Sequence, residues 1–340
     1  FVLTFIFIFL ISSTAFSANE YFRSIASGDW NSTLTWQMST NSGSTWIAAT
    51  LTPTDASGEI TVRYPNIVTV TVSVNADQLT IDSGSVSINT GIVLTLLNGS
   101  GNDLTVLKNG AVTGAGTFQT QGTVVLNLRS GSVFTAAFKV NTGTATVSEL
   151  ASPFDSKLFG SVTVDAGATL NTNNTGSYSL SVYGNIINNG TITGTGSTLK
   201  FYGSSLTNNS VISSPNLSLD STSTLSGAGS YTGGNIIVTA NGNISLLNNV
   251  TFSISSKLTI NNGGDLSANT FILTFSSGIF EVLSGGTVTA SGTIRTQGTV
   301  TINPRTGSAF RANLNVASGT TIAAELTSPY NGKLFGNVTV

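Results

Sequence analysis

The sequence predicts an all-β chain wound as a parallel β-helix, and three observations carry that expectation. Thr (52), Ser (47), Gly (37) and Asn (33) supply about half of the 340 residues, and these are residues of strands and turns. Apolar-x-apolar triplets recur at Val162 (VTV), Leu180 (LSV), Leu199 (LKF), Leu217 (LSL) and Ile236 (IIV), at steps of 18, 19, 18 and 19 residues. No stretch shows the 3.6-residue spacing of an amphipathic helix.

Composition removes whole classes of chemistry. Charged residues are 8% of the chain, against roughly 25% in an ordinary globular protein. An apolar share of 39% with a net charge of −2 argues against disorder, which goes with low hydrophobicity and high net charge. Six prolines exclude collagen and Pro-rich linkers. The absence of Cys excludes a disulfide framework, a thiolate metal site and a Cys-anchored lipid. The absence of His excludes an imidazole base, so neither a Ser-His-Asp nor a Cys-His arrangement can be built. A zinc site would have carboxylates alone to draw on. Twelve Lys/Arg against fourteen Asp/Glu leave no basic surplus for nucleic acid. The chain is therefore expected to lack catalytic residues, metal and cofactor.

At the N-terminus, FVLTFIFIFLI (1–11) is apolar except for Thr4, and Ser12-Ser13-Thr14-Ala15-Phe16-Ser17 follows. This pattern predicts the apolar core and cleavage region of a secretory signal over residues 1–17, cut before Ala18. The apolar run is too short to span a bilayer, so no membrane span is expected in the mature chain. The segment has neither an initiator Met nor a basic leader, and Gly336-Asn337-Val338-Thr339-Val340 stops inside a motif that runs on after Gly160-Ser161-Val162-Thr163-Val164. Both ends are thus expected to be truncated.

Two repeats organise the rest. Residues 110–164 align without gaps on 286–340, with 30 identities in 55 positions, an offset of 176. Thr120-Gln121-Gly122-Thr123-Val124 recurs as Thr296-Gln297-Gly298-Thr299-Val300, and Lys157-Leu158-Phe159-Gly160 as Lys333-Leu334-Phe335-Gly336. The shorter period of about 19 residues is one coil. Its apolar-x-apolar triplets place alternate side chains inward, predicting the columns Val162, Leu180, Leu199, Leu217, Ile236 and Val164, Val182, Phe201, Leu219, Val238. Asn173-Asn174, Asn188-Asn189-Gly190, Asn208-Asn209, Gly233-Gly234 and Asn248-Asn249 fall between triplets and suit sharp corners. Asn at equivalent corners can form amide ladders. One coil buries too little to fold alone and must stack. Residues 76–340 predict about 14 coils of 19, a rod of about 65 Å at ~4.8 Å per rung. Right-handed winding is expected from the crossover rule. A string of antiparallel sandwich domains is the rival architecture.

Residues 18–75 differ in composition. All three Trp (Trp30, Trp36, Trp46) lie here with Met38, Pro53 and Pro65, which predicts an N-terminal cap that feeds into the coil at Ile67–Val72. The cap carries Arg23-Ser24-Ile25-Ala26-Ser27-Gly28-Asp29-Trp30, Thr35-Trp36, Thr45-Trp46 and Pro53, followed by Val68-Thr69-Val70, Leu79-Thr80-Ile81 and Gly84. Over roughly residues 21–106 this resembles the "SxxSGxW…TW" start of large exported repeat proteins of Bacteroidota-type bacteria, which usually end in a type IX secretion sorting domain. It is also similar to the eight-glycine module of extracellular β-helix proteins. The resemblance implies export and extracellular or outer cell-surface residence, and it transfers no catalytic residue. No sorting domain stands in this sequence, so the type IX route rests on the resemblance alone.

Candidate sites are few. Trp30, Trp36 and Trp46 are candidate carbohydrate contacts, set against packing over the first coil. Gly99-Ser100-Gly101-Asn102-Asp103 and Asn261-Asn262-Gly263-Gly264-Asp265 are oxygen-rich turns that calcium can use, set against ordinary corner chemistry. Glu149, Asp155 and Lys157 form the closest local charged set, but the second copy has Asn331 in place of Asp155, which a catalytic carboxylate pair would not survive. Arg129 with Glu149, and Arg305 with Glu325, share a 20-residue spacing that predicts ion pairs between adjacent rungs. The functional expectation is a non-catalytic secreted or cell-surface stalk, structural or adhesive, whose partners are extracellular polysaccharide or a host or neighbouring cell surface. The alternatives are a carbohydrate-binding module that uses the Trp cluster, and the non-catalytic part of a polysaccharide-degrading enzyme.

Overall fold

The computed structural model describes residues 20–99, 101–148, 155–172, 178–213, 216–254, 257–289, 291–324, 333–334 and 336–340. The signal-like segment 1–17, Glu149, Glu325 and Asn331 lie outside the described residues.

Strand after strand pairs in parallel with the strand about one coil further on, giving a β-solenoid of about 12 turns. Each coil contributes three short strands, as in Ser179–Val182, Ile186–Asn188 and Thr191–Thr193. Their partners one rung on are Thr198–Phe201, Ser205–Asn208 and Val211–Ser213. The three columns enclose one core. Inward residues alternate with outward ones along each strand, so Leu199 and Phe201 are buried while Thr198 and Lys200 are half-buried.

Two details correct the sequence expectation. Val162 and Val164 do not head the columns assigned to them. They pair with Ile186 and Asn188, whereas Leu180 and Val182 stack on Ser156 and Leu158. The 18-residue step from Val162 to Leu180 therefore crosses from one column to another. The later steps hold, with Leu180, Leu199, Leu217 and Ile236 in direct register. Coil length also varies more than the triplets suggest. The column continues from Ile236 to Leu258, Phe280 and Ile302 in steps of 22, and Ser156 to Leu180 is a step of 24. Longer corners explain why about 12 turns fill a length that a uniform 19-residue coil would divide into about 14.

The first residues depart from parallel pairing. Tyr21–Ser24 runs antiparallel to Trp36–Ser39, which runs antiparallel to Ile47–Ala48. On its other side Tyr21–Ser24 pairs in parallel with Glu59–Arg63, and Gly28–Asp29 pairs with Ile67–Val70. Parallel coiling thus begins inside the Trp-bearing segment.

Close stacking constrains the corners. A Cβ on Gly160 would stand 2.0 Å from the Ala136 carbonyl oxygen, and one on Gly184 would stand 2.2 Å from that of Gly160. Glycine is required there by the approach of neighbouring rungs. Polar corners are satisfied between rungs: Asn188 Nδ2 donates to Asn208 Oδ1 at 2.8 Å, and Asn209 Nδ2 to Asn189 Oδ1 at 2.8 Å. These are the amide ladders that the Asn-rich corners suggest.

Candidate functional site

The three Trp side chains do not form a common platform. Trp30 and Trp36 are fully buried. Their rings meet edge-on with centroids 5.4 Å apart. Trp30 Nε1–H donates to the Pro53 carbonyl at 3.0 Å and Trp36 Nε1–H to the Trp30 carbonyl at 2.9 Å. A ring enclosed in this way offers no face to a sugar. Trp46 is half-buried, with the Arg23 guanidinium carbon 4.3 Å from its ring centroid. Gln37 Oε1 holds Arg23 through Nε at 3.0 Å and Nη2 at 2.7 Å, so one face of Trp46 is already occupied by a cation.

The aspartates of the two oxygen-rich turns are already engaged, one by backbone N–H groups and the other by hydroxyls. Asp103 is buried, and its carboxylate accepts the Gly99 N–H at 2.6 Å and the Val125 N–H at 2.7 Å. Asp77 lies against the same turn. Burial pushes its carboxyl up, and the charges of Asp103 and Asp55 push it further in the same direction. Asp265 accepts hydrogen bonds from the hydroxyls of Thr287 and Thr289 on the next rung. Among the described residues no group of three or more acidic side chains is gathered as a metal ion would need.

The ion pairs among the described residues run between rungs. Glu149 and Glu325 lie outside the described residues. Arg305 is bound by Glu281, 24 residues earlier. Its Nη2 lies 2.7 Å and its Nε 3.0 Å from Glu281 Oε1. Lys257 Nζ reaches Glu281 Oε2 at 2.8 Å. Lys139 and Asp165 make a second inter-rung pair at 2.8 Å.

A feature absent from the sequence reading is an aromatic stack on the outer surface. Phe159 and Tyr183 lie 4.8 Å apart at 18°, and Tyr183 and Tyr202 4.7 Å apart at 10°. Each ring directly follows the apolar end of a strand in the same column, after Leu158, Val182 and Phe201. That adjacency in three successive coils is the signal that would have found it. Tyr183 is covered on both faces by its neighbours, a stacking across rungs that favours one register.

No family model matches the chain, and no curated protein or solved structure gives a match. Fold and surface define the class: a three-column parallel β-solenoid with a thinly charged exterior.

Proposed function

We propose that the chain is a non-catalytic stalk of the extracellular space or bacterial outer cell surface, structural or adhesive in role. The observation that supports this most directly is the unbroken core of about 12 stacked turns, a shape that spans distance. Extension is the mechanism: each rung adds about 4.8 Å, so 12 turns give a rod of about 58 Å. The outward residues are mostly Ser, Thr and Asn, with 8% charged residues overall, which keeps the surface hydrated with little long-range field. The signal-like segment 1–17 and the resemblance of the Trp-bearing segment to exported repeat proteins support export. Of the carboxylates described above, those of Asp103, Asp165, Asp265 and Glu281 are engaged with backbone, hydroxyls or cations, which supports a non-catalytic role.

The test combines location with binding. Cells that produce the protein are fractionated and treated with external protease, and a deletion strain is scored for attachment to polysaccharide-coated and cell-coated surfaces. The reading expects surface-exposed protein and reduced attachment. Retention in the cytoplasm, or depolymerisation of a polysaccharide by the purified chain, would overturn it.

A further inference from the structure

We infer that a cavity near the C-terminal end of the rod is a binding site for the sulfate or carboxylate groups of an acidic polysaccharide. The cavity has a volume of about 410 Å³, and its walls include Arg305, Ser308, Arg311 and Lys333. That size suits a small-molecule or sugar-unit site, since ligand pockets run from about 300 Å³ upward. Three of the chain's twelve cations therefore meet at one opening.

The chemistry of each group points to an anion. Arg311 and Lys333 are exposed, and neither makes a side-chain hydrogen bond or ion pair among the described residues. Arg305 is held rigidly. Glu281 takes its Nε and Nη2, and among the described residues the Nη1 edge of the guanidinium is uncommitted, a preorganised fork for an oxyanion. The Glu281 charge is shared with Lys257, so the group as a whole keeps a positive surplus. Ser308 also lines the opening, with its Oγ withdrawn from solvent.

The fold does not require this charge. In the first copy Arg129, Ser132 and Lys157 stand at the positions of Arg305, Ser308 and Lys333, but Thr135 stands where the second copy has Arg311. Thr135 N–H donates to Val112 O and Arg311 N–H to Val288 O, the same backbone bond in both copies. A threonine therefore serves the solenoid equally well at that corner, and the arginine adds charge alone.

The distribution of charge selects a polysaccharide over nucleic acid. Residues 20–256 carry seven cations and eleven acids, whereas residues 257–340 carry five cations and three acids. A duplex lying along the rod would meet repulsion over most of its length, and among the described residues no aromatic side chain lines the cavity to stack a base. Cations spread over successive rungs instead match a flexible polymer with spaced anions, which engages several at once. The site stands independently of the stalk reading.

Binding of the full chain to fluorescent dextran sulfate, polygalacturonate, neutral dextran and duplex DNA is measured in low salt by anisotropy. Inorganic sulfate serves as competitor. The expected result is binding of at least one acidic polysaccharide, weakened by added salt and absent for neutral dextran. Arg311→Gln with Lys333→Gln should lower that binding at least tenfold, and Lys200→Gln, on another part of the rod, should leave it unchanged. Both substituted side chains are exposed, and an unchanged melting curve confirms that the variant is folded. Inorganic sulfate should compete only at millimolar levels or above. Failure to bind either acidic polymer, equal binding by the double variant, or tighter binding of duplex DNA would each overturn the proposal. Displacement by micromolar sulfate would do so too, by reassigning the cavity to a free anion.

Discussion

Arg305 Nη2 lies 2.7 Å from Glu281 Oε1, one rung away on the same column of strands. Strand register places Glu281 opposite Asn303, whose Nδ2 donates to the same oxygen at 3.0 Å. Lys257 reaches the other carboxylate oxygen from the opposite rung. Three rungs are thereby joined through one carboxylate that is almost fully buried.

That arrangement makes stability depend on pH. Burial pushes the Glu281 carboxyl up, but the hydrogen bonds and charges of Lys257 and Arg305 outweigh burial and hold it below its ordinary value. A carboxyl depressed in the folded state contributes stability that is fully present above its unfolded pKa of about 4.3. The contribution is lost as pH falls through the folded value. Glu281→Gln should cost about 1–3 kcal/mol at neutral pH and flatten the melting temperature as a function of pH in the acid range. An unchanged acid slope in the variant would show that the coupling is not carried by Glu281.

Trp30 anchors the antiparallel start of the rod. It is fully buried, packed edge-on against Trp36 and bonded to Pro53. Trp30→Ala should cost about 3–5 kcal/mol, read by urea denaturation. Trp46→Ala removes a half-buried ring and should cost far less. Equal losses would contradict the different burial of the two rings.

The glycine column predicts a steric cost. Gly184→Ala would bring a Cβ to 2.2 Å from the Gly160 carbonyl oxygen, and backbone on the neighbouring rung cannot swing aside as a side chain does. The rungs must separate locally, at about 1–3 kcal/mol. Gly167→Ala is the informative comparison. Its Cβ would meet nothing within 4 Å, but its φ of +78° makes the penalty conformational. Tighter spacing should therefore show as slower amide exchange in the parent than in Gly184→Ala at Val162, whose N–H donates to the Asn185 carbonyl at 2.8 Å, with no such change for Gly167→Ala.

How much of this was legible follows from what strands encode. The alternation in Leu199-Lys200-Phe201 states which side chains face the core, and the structure buries both apolar ends. Register between rungs is set instead by corner length, which no local pattern encodes. The VTV triplet at Val162 therefore looks like LSV at Leu180 although they sit in different columns. Burial of Trp30 and Trp36 was foreseeable from ring size, as one of the two readings weighed. The cavity around Arg311 was not, because residues 305, 311 and 333 meet only once the corners are folded. The duplication held a clue in the change from Thr135 to Arg311, whose meaning depends on knowing what lies beside it.

The amide ladder supplies the last test. Asn188 and Asn208 are completely buried on successive rungs. Asn188 Nδ2 donates to Asn208 Oδ1 and to the Val211 carbonyl, and Asn208 Nδ2 donates to the Ser230 carbonyl. The ladder starts at Asn188 because the rung before it carries Val164, which has no amide to donate, and Asn188 Oδ1 is left without a partner. Asn188→Leu removes that unpaired oxygen but strands Asn208 Oδ1. Asn208→Leu strands a donor on Asn188 and frees the Ser230 carbonyl. Each single change should cost about 1–3 kcal/mol, the price of an unsatisfied buried polar group. The double variant Asn188→Leu/Asn208→Leu leaves neither amide stranded by the other, so its loss should fall short of the sum by about 0.5 kcal/mol or more. Chemical denaturation of the parent, the two single variants and the double variant closes the cycle. Strict additivity would mean that the two amides, although 2.8 Å apart, do not act as a ladder.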